Sequence, residues 1–159
     1  MINLYTPKIT NEDKKAVASV LNKNWLSGNT EIVEKFENKI AKYCETKYAL
    51  ACSSGTTALH LALISTGLKE DDEVIMPSLT YIASANSVKY FGGKPVFIDI
   101  NKSDWQMDTS EIENKITNKT KAILPVHLYG GIPNLTEILR ILRMFMHFVT
   151  FTQGHMTLK

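Results

Sequence analysis

Apolar residues recur along the 159-residue chain with two different periods, and segments of the two kinds alternate. The helical period is clearest in a segment whose apolar residues include Ile32, Phe36, Ile40 and Tyr43. Spacings of four, four and three residues place these side chains on one face of an amphipathic helix. The segments 74–77 and 95–100 are instead short, continuous apolar runs, which are typical of strands buried on both faces.

Helical and strand-like segments together account for most of the chain. The predicted helices are 10–22, 30–43, 54–66, 80–91, 108–116 and a last one that begins near residue 133. The predicted strands are 48–52, 74–77, 95–100 and 121–130. Alternation of helices with strands that are apolar, rather than half polar, predicts an α/β fold with a mixed, mostly parallel sheet flanked by helices.

Several helix starts carry capping residues. Thr10 precedes Asp13 by three positions, which is the spacing of a capping box that satisfies two backbone N–H groups reciprocally. Asp108 and Glu111 have the same spacing. Thr30 is a suitable N-cap for the helix that follows it.

Composition and charge narrow the class of protein. Hydrophobic residues make up 44% and charged residues 21% of the chain, as in ordinary globular proteins. The formal net charge of +2 is spread along the chain without a basic block, which argues against nucleic acid as a partner. No apolar run reaches membrane-spanning length and the start lacks the order of a signal peptide, so we expect a cytoplasmic protein without a membrane partner.

The cysteines and histidines add little chemistry. Cys44 and Cys52 are predicted to be reduced, buried thiols, with a single disulfide in a secreted protein as the open alternative. The four histidines have no metal-ligand spacing among themselves or with the cysteines, so no metal site is expected. His60 lies in an apolar helix and is interpreted as a core residue, and Asp99 as a turn-forming residue.

The turn Ser53-Ser54-Gly55-Thr56-Thr57 follows a predicted strand and opens an apolar helix, which we expect to be buried on all sides. The first N–H groups of a helix have no partner within the helix, and the helix dipole adds partial positive charge there. With Gly55 permitting close approach and with hydroxyls on Ser54, Thr56 and Thr57, this turn can bind a phosphate. The alternative is that these residues only cap the helix, since Ser and Thr are favoured N-caps. The turn has neither the lysine of a Walker loop nor the flanking glycines of a nucleophile elbow.

A second group of candidate residues lies at the end of the last predicted strand. His127 and Tyr129 follow an apolar run, at the position where open α/β sheets gather their ligand-binding groups. A single histidine at a strand end is as often structural as functional, so both interpretations of His127 stay open.

Four strings in this order resemble one enzyme family: WLSGNTEIVEKFE, SSGTTALHLAL, DDEVIMPSLTYIASANSVKYFGGKPVFIDI and KAILPVHLYGG. They resemble the pyridoxal-phosphate sugar aminotransferases of the DegT/DnrJ/StrS type, above all its perosamine synthetase-like members, over residues 2 to 140. The resemblance implies that this chain folds as the front, N-terminal part of the family's large domain. It implies transfer of an amino group from an amino acid donor such as glutamate, through pyridoxal 5'-phosphate, to C4 of a nucleotide-linked 4-keto-6-deoxy sugar. It also implies a homodimer for the full-length form.

The resemblance assigns roles to particular positions. It implies that Gly55 and Thr56, supported by Ser54 and Thr57, bind the cofactor phosphate, and that Tyr81 stacks on the pyridine ring. It places Trp25, Ser27 and Gly28 in the loop that approaches the sugar nucleotide. With these, His127 and Tyr129 complete the predicted substrate residues.

The resemblance also implies two catalytic groups that no residue of this chain matches. One is the carboxylate that pairs with the pyridine nitrogen, and the other is the Schiff-base lysine. No acidic residue follows Glu137, and Lys159 is the only lysine after that point. We therefore predict no catalytic residue in this chain, which would be inactive alone.

The composition of the chain changes near residue 140. Residues 141–159 contain three of the six methionines and two of the four histidines, and they have neither a clean helical nor a clean strand period. We predict a domain over 1–140 and an atypical tail over 141–159. The tail is read out of frame after a frameshift, is ended by an early stop, is disordered, or is a genuine divergent end. The alternative function is that of a non-catalytic binding or dimerisation partner.

Overall fold

The computed structural model describes residues 6–145, 147–152 and 155–158. The chain divides into two compact units, Met1–Ala51 and Cys52–Lys159. The described part of the chain has no helix that is both long enough and apolar enough to span a membrane.

The first unit contains two helices, α1 (Asn11–Asn22) and α2 (Glu31–Tyr43). The capping box that opens α1 is present: the Asp13 N–H donates to Thr10 Oγ1 at 3.2 Å, and the Thr10 N–H donates to Asp13 Oδ2 at 2.7 Å. Thr30 occupies the N-cap position of α2, but its side chain makes no capping hydrogen bond. The sequence therefore predicted the bounds of both helices, and the role of only one of their caps.

The predicted strand 48–52 is wrong, because no strand forms there in the described part of the chain. A strand exists only in a ladder with a neighbour, and the polar backbone groups here bond to side chains instead. The Ala51 N–H donates to Glu37 Oε1 at 2.8 Å, and Thr46 Oγ1 donates to the Tyr48 carbonyl at 3.0 Å. The segment thus satisfies part of its backbone without strand pairing.

The second unit carries the predicted alternation of helices and strands. Its helices are α3 (Gly55–Ser65), α4 (Ile82–Lys89), α5 (Ile112–Lys115) and α6 (Leu135–Phe145). Its strands are β1 (Glu73–Pro77), β2 (Lys94–Ile98), β3 (Thr120–Ile123), β4 (His147–Thr152) and β5 (His155–Leu158). Short 3-10 turns occupy Thr109–Glu111 and Leu128–Gly130.

The five strands form one sheet in the order β2-β1-β3-β4-β5. The pairs β2–β1, β1–β3 and β3–β4 are parallel, whereas β4 and β5 are antiparallel. The predicted mixed, mostly parallel sheet flanked by helices is thus confirmed.

Alternation of side chains along the strands builds a core on each face of the sheet. On β1, Val74 and Met76 belong to one buried cluster and Ile75 to the other. The first cluster, the α3–α4 core, also contains Leu59, Ala62, Leu63, Leu68, Ala83, Val88, Ala122 and Leu124. The second, the α5–α6 core, also contains Ile98, Met107, Ile112, Ile123, Ile138, Ile141 and Leu142. Helices therefore cover both faces, which explains why the strands read as continuous apolar runs.

The predicted strand 121–130 is shorter than expected. β3 ends at Ile123, although the Leu124 N–H still donates to the Ile75 carbonyl at 2.8 Å. Pro125 follows and has no N–H to continue the ladder. The chain then turns at Leu128–Gly130 instead of extending to Gly130.

The predicted helix 108–116 begins with a 3-10 turn and becomes α-helical at Ile112. Asp108 caps this turn by accepting the Ser110 N–H at 3.0 Å. The reciprocal bond of a capping box is missing, because Glu111 Oε2 accepts the Asp99 N–H at 3.2 Å. Glu111 thus ties the end of β2 to this turn.

Three predictions of burial are wrong. Cys44 and Cys52 are free thiols, as expected, but Cys44 is only half-buried and Cys52 is exposed. Helix α3, whose apolar sequence suggested burial on all sides, exposes Leu61 and Ile64. Sequence polarity alone cannot place these side chains, because only one side of α3 packs on the sheet within this unit.

The predicted tail 141–159 includes the end of α6 and both β4 and β5. Its side chains from residue 144 onward and Lys159 lie outside the described residues. The division of the chain at residue 140 therefore stays a prediction.

We expect Ile75→Ala to lower the free energy of unfolding by about 2–5 kcal/mol, because the Ile75 side chain extends from β1 into the α5–α6 core and is fully buried there. Urea denaturation followed by circular dichroism measures the change. The matched control is Ile64→Ala on the exposed side of α3, for which we expect a change within about 0.5 kcal/mol. Equal losses in the two variants would contradict the two-faced core.

Candidate active site

The parallel strands bring several predicted site residues to one edge of the sheet. Residues that follow β1 and β3 lie at the same edge, because parallel strands have their carboxyl ends together. Tyr81 follows β1 and His127 follows β3. Helix α3 packs on the sheet and connects through its carboxyl end to the start of β1, so its amino end lies toward this edge as well. We call this the carboxyl edge.

The amino end of α3 is closed by a capping box. Ser54 is the N-cap, with an extended backbone (φ −159°, ψ 164°). Its Oγ accepts the Thr57 N–H at 3.3 Å, and Thr57 Oγ1 accepts the Ser54 N–H at 3.1 Å. Thr57 Oγ1 also donates to the Ser54 carbonyl at 2.8 Å. The capping interpretation of these two hydroxyls is therefore correct in this structure.

The capping box leaves part of the helix end available. Among the described residues, the N–H groups of Gly55 and Thr56 make no hydrogen bond. Gly55 is exposed and Thr56 is half-buried. Two adjacent donors at the positive end of an eleven-residue helix suit one phosphate, so the backbone, more than the hydroxyls, is able to bind an anion here.

Tyr81 lies at the N-cap of α4, directly after the loop that leaves β1. Its side chain is 75% exposed. Thr80 Oγ1 and Ser84 Oγ are 2.8 Å apart and fix the turn beside it. An exposed ring on a fixed turn can stack on a planar ligand at this edge.

His127 and Tyr129 have different surroundings. His127 is half-buried, and its Nε2 is buried with no hydrogen-bond partner among the described residues. Burial lowers the pKa of His127 below its ordinary value, which favours the neutral form of the ring. Tyr129 is 66% exposed and has a left-handed backbone (φ 51°). Its ring makes an edge-to-face contact with Trp105, with centroids 6.2 Å apart.

Sequence reasoning missed Gln106, which joins two loops of this edge. The side chain is buried, and its Nε2 donates to the carbonyls of Asp104 and Leu128, both at 3.1 Å. Gly131 packs so closely that a Cβ there would lie 2.2 Å from Gln106 Nε2. A glutamine in a loop has no periodic signal, and the glycine pair Gly130-Gly131 is the only sign in the sequence of such a close approach.

Trp25, Ser27 and Gly28 belong to the first unit and lie in the predicted loop. Trp25 is half-buried, with Lys23 Nζ 4.4 Å from the centroid of its ring. Ser27 is exposed, and a Cβ at Gly28 would meet nothing within 4 Å. Gly28 also lines a cleft of this unit together with Leu50 and residues of α2.

The remaining candidates have local structural roles. The half-buried ring of His60 stacks on Tyr90 with centroids 5.5 Å apart and meets Phe91 edge-on at 4.5 Å. Asp99 Oδ1 accepts the Ile100 N–H at 2.8 Å, as in a turn. Within the described ranges there is no group of three or more His, Cys, Asp or Glu residues that could hold a metal ion.

A sequence model of the DegT/DnrJ/EryC1/StrS aminotransferase family matches residues 7–146. The chain is 48% identical over 140 residues to the GDP-perosamine synthase of Escherichia coli O157:H7, covering 88% of this chain and 38% of that relative. It is 44% identical over 142 residues to the GDP-perosamine synthase of Caulobacter vibrioides, covering 89% of this chain and 38% of that relative. The chain thus spans little more than a third of the length of these relatives.

The fold is similar to that of the crystal structure of ntda from Bacillus subtilis with bound cofactor PMP. The TM-score is 0.82 at 36% identity, and the match covers 89% of this chain and 34% of that chain. The predicted family and fold class are therefore confirmed, and this chain is similar to only part of these proteins.

We expect the stability of the chain to fall in mildly acidic solution because of His127. Burial lowers its pKa in the folded chain from the ordinary value of 6.5, so the unfolded chain binds the proton more readily. The contribution of His127 to the free energy of unfolding is complete above its pKa in the unfolded chain. It is lost as the pH falls through its lower pKa in the folded chain. His127→Gln should therefore reduce the decrease in unfolding free energy between about pH 7 and pH 5, measured by urea denaturation.

The matched control for this pH series is His60→Gln, in which a ring packed against two aromatic side chains is replaced instead. A decrease that is unchanged in His127→Gln, or removed equally in both variants, would contradict the role of the buried Nε2.

Proposed function

We propose that this chain, which belongs to the DegT/DnrJ/EryC1/StrS aminotransferase family, provides the phosphate- and ring-binding part of a pyridoxal-phosphate site in a nucleotide-sugar aminotransferase. The observation that carries the proposal is the pair of free N–H groups on Gly55 and Thr56, at the same edge of the sheet as the exposed ring of Tyr81. The GDP-perosamine synthases that are 48% and 44% identical to it over the matched segments support a nucleotide sugar as the substrate.

In this proposal the backbone of Gly55 and Thr56 donates two hydrogen bonds to the cofactor phosphate. Hydrogen bonds to a charged acceptor contribute about 1.5–3 kcal/mol each, more than those between neutral groups. The Ser54–Thr57 capping box keeps the turn in the required shape, so these side chains act on the phosphate indirectly. Tyr81 orients the pyridine ring by stacking, which contributes about 0.5–1.5 kcal/mol.

The residues of this chain fit the phosphate and the ring of the cofactor, and they leave two roles unassigned. When bound, pyridoxal phosphate supplies an electron sink for chemistry at the carbon that carries the amine. The carboxylate that supports this sink and the covalent lysine match no residue here. We assign both to the sequence that the longer relatives possess beyond the matched segment. This chain alone would then be inactive.

For the complete protein we propose that glutamate gives its amino group to the cofactor, and that C4 of a nucleotide-linked 4-keto-6-deoxy sugar receives it. Trp25, Ser27 and Gly28 would contact the sugar nucleotide, and His127 and Tyr129 would lie beside the reacting sugar. Burial lowers the pKa of His127, which favours its uncharged form, so its ring would bring no positive charge to the site.

We further propose that the end of the chain, beyond the family match to residues 7–146, is read out of frame. The support is compositional: no acidic residue follows Glu137, and the methionines and histidines are concentrated there. The nucleotide sequence of the gene tests this directly. An alternative frame that encodes an acidic residue on a following strand and a later lysine would support the proposal, and open frames without them would contradict it.

Mixing the purified chain with pyridoxal phosphate, removing the excess and recording the visible spectrum before and after borohydride tests the cofactor roles. We expect no retained visible band and no pyridoxyl group on any single peptide, because the covalent lysine is not among these residues. The full-length Escherichia coli relative is the positive control. A band that borohydride fixes on one peptide of this chain would contradict the assignment of the lysine elsewhere.

A second candidate function is that of a non-catalytic partner for a full-length relative. It is favoured by apolar side chains on α2, where Phe36 is 54% and Tyr43 77% exposed. Monomeric proteins rarely leave such side chains together on one helix face. If the chain is such a partner, light scattering of its mixture with the full-length relative will show one species with the summed mass. Two separate species would contradict this function.

A further inference from the structure

We propose that Trp105 and Tyr129 form a corner at the carboxyl edge that binds the C–H face of a hexopyranose ring. The inference rests on the proposed function for the class of the ligand, a nucleotide sugar, and it identifies the part of the chain that takes the sugar. The observation that carries it is an exposed aromatic pair held by a buried glutamine.

The two rings meet at an angle rather than in a stack. Their centroids are 6.2 Å apart and their planes are inclined by 65°. Trp105 is 54% and Tyr129 66% exposed, so the contact leaves large parts of both rings open to a ligand. The two rings thus offer surfaces that are inclined to each other and open to a ligand.

The backbone of both residues is held in an unfavourable conformation. Trp105 has a φ of 60° and Tyr129 a φ of 51°, in the left-handed region that bulky residues rarely occupy. Such conformations persist only where the surroundings enforce them, and they concentrate at functional sites. Two residues whose rings are in contact both have this backbone conformation, which indicates that the surrounding structure holds the corner in place.

Gln106 provides the enforcement. Its buried amide donates to the Asp104 carbonyl in one loop and to the Leu128 carbonyl in the other, beside Trp105 and Tyr129 respectively. The Trp105 N–H also donates to the Asn101 carbonyl at 2.8 Å. The glutamine thus fixes the two loops, and with them the separation and inclination of the rings.

The chemistry of the corner fits a sugar ring. A pyranose offers polarised C–H groups on its faces and hydroxyls at its rim. The face of an aromatic ring carries a partial negative charge, which attracts the C–H groups. The indole N–H of Trp105 and the hydroxyl of Tyr129 have no hydrogen-bond partner among the described side chains. They can therefore form hydrogen bonds with the hydroxyls of the sugar. A flat base can lie against only one of two inclined rings, whereas the puckered chair of a pyranose can contact both.

The position of the corner fits the same ligand. Trp105 follows β2 and Tyr129 follows β3, while β1, which leads to Tyr81, lies between these strands in the sheet. The corner and the proposed ring-stacking residue are therefore on the same edge. A sugar seated on the corner would have its ring near the proposed cofactor position.

Saturation-transfer difference NMR of the complete chain with GDP-mannose tests the corner, because it reports which ligand protons contact the protein. We expect the strongest signals on the sugar-ring protons. In Trp105→Asn and in Tyr129→Asn these signals should weaken relative to the guanine H8 signal, because each variant removes one of the two rings whose protons would lie against the sugar. Asparagine is chosen because it tolerates the left-handed backbone better than other residues that lack a ring.

The matched control is Tyr48→Asn, which removes an exposed tyrosine of the first unit. Circular dichroism confirms that each variant keeps the fold. Sugar signals that stay unchanged in both corner variants, or that fall equally in the control, would overturn the corner. Signals on guanine alone would overturn it while leaving a nucleotide sugar as the ligand class. The absence of all signals would overturn the corner and also count against the proposed substrate.

Discussion

Strand β1 is buried on both faces, and the position of the candidate site depends on this constraint. Val74 and Met76 enter the α3–α4 core and Ile75 enters the α5–α6 core, so β1 can neither slip by one residue nor exchange its faces without exposing apolar groups. Its parallel neighbours are β2 on one side and β3 on the other. Fixing β1 therefore fixes the carboxyl edge at which the three strands end.

The candidate binding groups lie at that edge because of the course of the backbone. A helix that packs on a parallel sheet and leads into a strand directs its amino end, with its free N–H groups, toward the carboxyl edge. The N–H groups of Gly55 and Thr56 are therefore able to bind an anion without a charged side chain. Tyr81 and the Trp105–Tyr129 corner come from loops that leave the same strands, so apolar ring surfaces and backbone donors are combined at one place. A ligand with a phosphate at one end and rings at the other matches this combination.

The sequence was sufficient to predict those features that depend on neighbouring residues alone. Apolar runs predicted β1 and β2, and the Ser54–Thr57 turn could be recognised because capping needs only four consecutive residues. It was insufficient where structure depends on distant partners. The segment 48–52 has strand composition but finds no ladder, and the exposure of Cys52 follows from packing. Gln106 acts through a carbonyl 22 residues away, a relation that no periodicity encodes.

The central claim is that the amino end of α3 binds the cofactor phosphate through its backbone, independently of the covalent lysine. The most direct measurement is a titration of the nitrogen-15-labelled chain with pyridoxal phosphate, followed by amide NMR shifts, with inorganic phosphate as a second ligand. The account predicts that the Gly55 and Thr56 amides shift most with both ligands, and that Tyr81 shifts with pyridoxal phosphate only. Shifts elsewhere with Gly55 and Thr56 unmoved would contradict it.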